Sequence, residues 1–177
     1  MKYTAFFLVI ATTIFSVGCD QATKQHKALS TEESISELET ALFDSETMTL
    51  DRKKANKLSY LYEKWAHENK ESDQAPANLL KAADLSMNLN NPRRSIGIYD
   101  QILINYSDSK QASSALFLKA FVYDDQLKDY VKAGKYYTEF LAKYPESPFA
   151  NDAEASMKNL GKTPEELVKE FEKNQGN

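Results

Sequence analysis

Apolar residues along this chain fall at helical spacing. Leu58, Leu61, Tyr62, Trp65 and Ala66 share one face. So do Tyr99, Ile102, Leu103 and Tyr106, and again Tyr137, Phe140, Leu141 and Tyr144. Recurrence at i, i+3, i+4 and i+7 describes an amphipathic helix that buries one stripe. Sustained alternation of β-branched residues is absent, so strands are not expected. The pattern predicts helices over 31–43, 51–69, 75–89, 92–106, 111–127, 130–144, 149–160 and 164–174. Capping signals agree. Ser30 with Glu33 fits a capping box, as does Thr163 with Glu166. Asn91-Pro92, Ser147-Pro148 and Thr163-Pro164 read as an N-cap followed by proline at the first helical position. Gly161 stands where a helix end needs a left-handed residue. Gly97 and Gly134 fall inside helices, each at a propensity cost of roughly 1 kcal/mol, which predicts close approach of a neighbouring helix.

The helices recur as a phrase. Tyr62…Glu71-Ser72…Ala75 returns as Tyr99…Asp108-Ser109…Ala112 and as Tyr137…Glu146-Ser147…Ala150, at spacings of 37 and 38 residues. Each tyrosine is followed by an apolar pair: Trp65-Ala66, Ile102-Leu103 or Phe140-Leu141. A period in this range marks a stacked repeat architecture, in which each unit buries its apolar face only against its neighbours. Such proteins are usually surfaces for binding. The period exceeds 34 residues, and the extra residues fall in a turn around Asp124–Asp129.

Composition narrows the function. Of 177 residues, 42% are hydrophobic and 27% charged, which is globular. Formal net charge is −4, so the clustered basic face that nucleic acid requires is not expected. Metal-ligand spacings and cofactor fingerprints are absent: His26 and His67 are the only histidines and Cys19 the only cysteine. No P-loop, H-E-x-x-H, G-x-S-x-G or G-x-G-x-x-G occurs, and no catalytic residue is assigned.

The first 18 residues read as an export signal. Lys2 supplies a positive start, and Ala5 to Val17 is a 13-residue apolar run, too short to span a membrane. Ser16-Val17-Gly18-Cys19 resembles the lipobox of bacterial lipoproteins, with Ser16 where an aliphatic residue is usual. That resemblance implies acylation of Cys19 and cleavage before it. Two or three acyl chains would anchor the protein firmly. The same small residues suit an ordinary signal peptidase, which would release a soluble protein. Residues 19–29 read as a tether and 30–177 as the helical domain.

Within the domain, Leu116-x₂-Lys119-Ala120-x₂-Tyr123, then Ala133-x₃-Tyr137 and Pro145, resemble the tetratricopeptide repeat. Leu79, Ala83, Ser95 and Tyr99 follow it more loosely. The resemblance covers about residues 50–160. It implies an all-α, TPR-like superhelix of antiparallel helix hairpins with a C-terminal capping helix. Tyr144-Pro-Glu-Ser-Pro-Phe-Ala-Asn-Asp-Ala153 is similar to the repeat lipoprotein of the β-barrel assembly machinery and to the periplasmic repeat protein of the Tol-Pal system. The layout also resembles tetratricopeptide proteins of Bacteroidota.

The first helix of each such hairpin lines the concave surface. This geometry points to Leu80, Asp84 and Met87 on one helix, and to Phe117, Phe121 and Asp124 on the next. Phe117 and Phe121 would form an apolar spot flanked by carboxylates, where a peptide or helix docks. The competing reading covers both rings with a neighbouring repeat or the 31–43 helix. Tyr62, Tyr99, Tyr137, Phe140 and Tyr144 read as core. Arg93-Arg94 reads as a solvated loop, Asp124-Asp125 as a solvated turn, and His67 as pairing with Glu63 or Glu71 on the surface. The function expected is a lipid-anchored scaffold holding a protein partner in the bacterial envelope, facing the periplasm and serving outer-membrane protein assembly. The alternatives are a soluble adaptor of the Tol-Pal kind and a ligand- or glycan-handling protein.

Overall fold

A computed structural model describes residues 29–43 and 46–175. The predicted leader, Cys19 and all but the last residue of the tether lie outside them. Among the described residues eight α-helices follow in order: α1 Thr31–Thr40, α2 Arg52–Glu68, α3 Ala75–Asn88, α4 Pro92–Asn105, α5 Gln111–Phe121, α6 Tyr130–Lys143, α7 Ala150–Asn159 and α8 Pro164–Gln175. A π-helical turn, Val122–Gln126, extends α5. Among the described residues there is no strand, only one antiparallel bridge from Phe43 to Leu50. Each helix packs on the next from α1 to α7, and α3 also reaches α5. The result is a stack of antiparallel hairpins: α1–α2, α3–α4 and α5–α6, followed by α7. α8 closes the chain and packs more sparsely than the others.

The recurring phrase is a recurring turn. The amide of Ser72 donates to Asn69 O at 2.9 Å, and that of Ala75 to Ser72 O at 2.9 Å. The amide of Ser109 donates to Tyr106 O at 3.0 Å, and that of Ala112 to Ser109 O at 3.1 Å. The third copy joins Ser147 to Tyr144 O at 3.1 Å and Ala150 to Ser147 O at 2.9 Å. Each turn satisfies backbone groups that a helix end leaves without an intrahelical partner.

The core runs along the stack. Leu58, Tyr62, Leu79, Ile98, Tyr99 and Ile102 are buried in its first part; Leu116, Phe117, Tyr137 and Phe140 fill the second. Each fully buried large apolar side chain contributes about 1.5–3 kcal/mol. Ala82, Ala83, Ala120 and Ala133 are fully buried, the small side chains that let helices approach. Ser59 and Ser86 are buried between α2 and α3, and their hydroxyls meet at 3.0 Å while each also reaches Ala82 O.

Several local expectations change. α1 stops at Thr40 rather than 43, because Leu42 O accepts the Asp51 amide at 2.9 Å and Phe43 enters the bridge. Pro148 is not the first residue of α7; the helix starts at Ala150 behind an N-cap at Phe149. The helix predicted over 111–127 widens at Val122, where the Leu127 amide donates to Val122 O at 3.0 Å, five residues back. That wider turn lies only within the second, 38-residue spacing, and one such turn takes up about one residue. A Cβ on Gly134 would lie 3.2 Å from the Leu160 side chain, so close approach holds there. Gly97 faces open space, and close approach fails as its explanation. Gly161 has φ of 75°, as a left-handed helix end requires. Both predicted capping boxes form.

Candidate partner-binding groove

The second helix of each hairpin carries the recurring tyrosine, and each of these side chains is buried. Their hydroxyls are directed at carboxylates on the preceding first helix. Tyr62 donates to Glu39 of α1. Tyr99 donates to Asp84 of α3 at 3.0 Å. Tyr137 is fully buried, and its hydroxyl forms no hydrogen bond of ordinary geometry; Asp124 and Ser156 are its polar neighbours. Burial, with Asp124 nearby, pushes the Tyr137 hydroxyl up to about 12. Burial raises Tyr62 and Tyr99 still further. All three are neutral at physiological pH, and Tyr62 and Tyr99 orient their acids without adding charge.

The acids differ. The Tyr62 hydroxyl, and after it Lys81, holds Glu39 below the usual glutamate range. Burial pushes Asp84 above the usual aspartate range despite the bond from Tyr99. Burial also raises Asp124. Among the described residues Glu39 has the Lys81 ammonium at 3.1 Å, whereas no cation pairs with Asp84. Keeping Asp84 ionised therefore costs the fold stability. A raised folded-state value contributes stability that is present below the unfolded value, about 3.9, and lost as pH rises through the folded value. Asp84→Asn retains an acceptor for Tyr99 and removes this loss. We expect it to melt at or above the wild type at pH 7, the gap closing as pH falls below that window. Thermal melts from pH 3 to pH 8 measure it, and a variant that melts lower at pH 7 would contradict it.

Of the six groove residues expected from sequence, Asp84 alone lines a cavity, and Phe117 is buried. Asp84 lines a cavity of about 370 Å³ between α1, α2 and α3, together with Glu39, Leu42, Leu58, Tyr62 and Lys81. Leu80 is half-buried against the first part of the core. Met87 also packs there; its sulfur lies 3.9 Å from the Tyr99 hydroxyl and its carbonyl accepts from Gln126 at 3.0 Å. Asp124 sits on the π-helical turn beside Tyr137. Phe121 is 36% exposed, but Phe117 is only 8% exposed. The Phe117 ring stacks on Phe149 at 4.8 Å and meets Tyr137 and Phe140 at 5.9 and 5.6 Å. Phe117 therefore belongs to the core. The proposed Phe117–Phe121 spot does not exist, because α7 and its N-cap cover one of its rings.

Two surface assignments also change. Arg94 is not solvated: it pairs with Glu63 at 2.5 Å, the two side chains 16% and 22% exposed. Glu63 is therefore engaged by Arg94, not by His67. Sequence reasoning missed Glu39 in the cavity, because α1 is separated from α3 by all of α2; it also passed over Lys81, which stands on α3 itself. A second recess, of about 1000 Å³, lies between the first two recurring turns. Its lining mixes Lys70 and Lys110 with Glu71, Asp73 and Asp108. No group of three or more His, Cys, Asp or Glu among the described residues is placed to hold a metal ion. No described helix is long and apolar enough to cross a membrane.

Residues 114–147 match the tetratricopeptide repeat family model. The match runs from within α5, through the π-helical turn and α6, to the third recurring serine. The tetratricopeptide repeat thus occupies the hairpin that the sequence resemblance fitted best. The α3–α4 hairpin repeats its turn chemistry and its tyrosine–acid contact. Neither the curated proteins nor the solved structures gave a match.

Proposed function

We propose that this protein is a lipid-anchored tetratricopeptide adaptor of the bacterial cell envelope, which holds a protein partner in the groove of its first helices. The observation that carries the binding role is the hairpin stack with an open cavity between α1 and α3, joined to a matched tetratricopeptide repeat. Repeats of this kind are typically protein-interaction scaffolds rather than enzymes. The anchor and the address rest on Ser16-Val17-Gly18-Cys19 behind a 13-residue apolar run. The similarity of residues 144–153 to envelope repeat lipoproteins favours work beside outer-membrane protein assembly.

One experiment separates anchor from partner. Cells expressing the tagged full chain, or its Cys19→Ser form, are crosslinked, fractionated with detergent and analysed by mass spectrometry. The wild type is expected in the detergent phase with one envelope assembly, and Cys19→Ser in the aqueous phase. Detergent partition independent of Cys19 would refute the anchor. Recovery of the protein alone in both forms would refute the adaptor reading.

A further inference from the structure

The cavity between α1 and α3 specifies the chemistry of what enters it. Its volume, about 370 Å³, suits one long side chain and its flanking backbone, not a folded surface. Leu42, Leu58 and Leu85 supply apolar wall. Two carboxylates and one ammonium also line it: Glu39, Asp84 and Lys81. The ammonium is already engaged, 3.1 Å from Glu39 and 4.9 Å from the centre of the Tyr62 ring. Asp84 is not neutralised. One of its oxygens accepts from Tyr99 at 3.0 Å, and the other has no partner among the described residues. The cavity thus holds a net negative charge, at a half-buried acid fixed in place by a buried tyrosine.

We propose that this cavity is a subsite for a lysine or arginine side chain of a partner peptide, with apolar residues on either side. The aliphatic stem lies along Leu42, Leu58 and Leu85, and the cationic head reaches the free oxygen of Asp84. Long basic side chains bury their stems against apolar surface in this way while their heads stay with polar groups. The entering cation supplies the charge that Asp84 lacks, and a hydrogen bond between two charged groups is stronger than a neutral one. An acidic side chain is rejected, because it would sit between Glu39 and Asp84. This assignment rests on the adaptor reading, of which it specifies the ligand.

The test uses the purified full chain and fluorescein-labelled pools of capped nonapeptides, each with a fixed central residue (Lys, Arg, Leu or Glu) and mixed flanks, read by fluorescence anisotropy. The Lys and Arg pools should bind about tenfold tighter than the Leu pool and tighter still than the Glu pool. Asp84→Asn should erase that preference without lowering the melting temperature. Lys81→Gln should sharpen it, since Lys81 is the only cation among the described residues that line the cavity. Equal binding of the Lys and Glu pools would overturn the subsite and leave the scaffold standing, as would a preference for Lys that survives Asp84→Asn. Failure of every pool to bind would overturn the peptide-scaffold reading with it.

Discussion

Phe117→Ala is expected to destabilise the protein by about 3–5 kcal/mol, the range for emptying a large aromatic site in a packed core. Its ring is 8% exposed and touches three other rings, from α6 and from the start of α7. Phe149, stacked at 4.8 Å, joins α7 to the last complete hairpin together with Ala153 and Leu160, so the loss falls on the end of the stack. For a chain of this length, that is a fall in melting temperature on the order of 10 °C. Phe121→Ala, one helical turn away at 36% exposure, should cost less than about 1 kcal/mol. Chemical denaturation of the two single variants measures the contrast. Equal effects would mean that Phe117 is not the pin between α5 and α7. The cavity between α1 and α3 lies at the other end of the stack and should keep its affinity in folded Phe117→Ala protein.

The two phenylalanines mark the boundary of what was legible. Periodicity places both on α5, at i and i+4, and a helix drawn alone puts them on one exposed stripe. What separates them is Phe149, from a segment about thirty residues later, and local spacing carries no record of it. The helices themselves were readable because their ends are local events. Ser72, Ser109 and Ser147 each close a turn with the same two backbone bonds, and the repeat in sequence is a repeat of that chemistry. The irregularity near Asp124 was legible as an altered turn, but not as a wider helical turn, which needs the Leu127 amide to find Val122 O. Asp84 was picked out as a groove residue. Lys81 stands one turn before it on α3, but Glu39 becomes its neighbour in the cavity only once α1 folds back across α2 and α3. Arg94 illustrates the opposite error. A charged pair at a helix start looks solvated until the adjoining hairpin covers half of it.

That second basic residue carries the other large expected effect. Arg94→Met should cost about 2–3 kcal/mol, somewhat below the loss for breaking a fully buried ion pair, because both partners keep some exposure. Arg94 bonds Glu63 at 2.5 Å, and its guanidinium lies 3.7 Å from the centre of the Tyr60 ring. Removing it leaves the Glu63 carboxylate with only a 3.5 Å contact from Gln101. The uncompensated charge, more than the lost attraction, sets the cost. The double variant Glu63→Leu with Arg94→Met should therefore be more stable than Arg94→Met alone, which a double-mutant cycle by urea denaturation resolves. A single variant within 0.5 kcal/mol of wild type, a loss about as small as at an ordinary surface site, would show that the pair is held no better than an exposed one. The position of the pair gives it a consequence beyond stability. It ties α2 to α4, the second helices of two successive hairpins, while Lys81–Glu39 ties the first helices α3 and α1. The Arg94–Glu63 pair is the more buried of the two and braces those hairpins, with the cavity between them, while the exposed Lys81–Glu39 pair adds little. Arg94→Met should loosen that brace and weaken binding of the lysine pool several-fold, although Arg94 does not line the cavity.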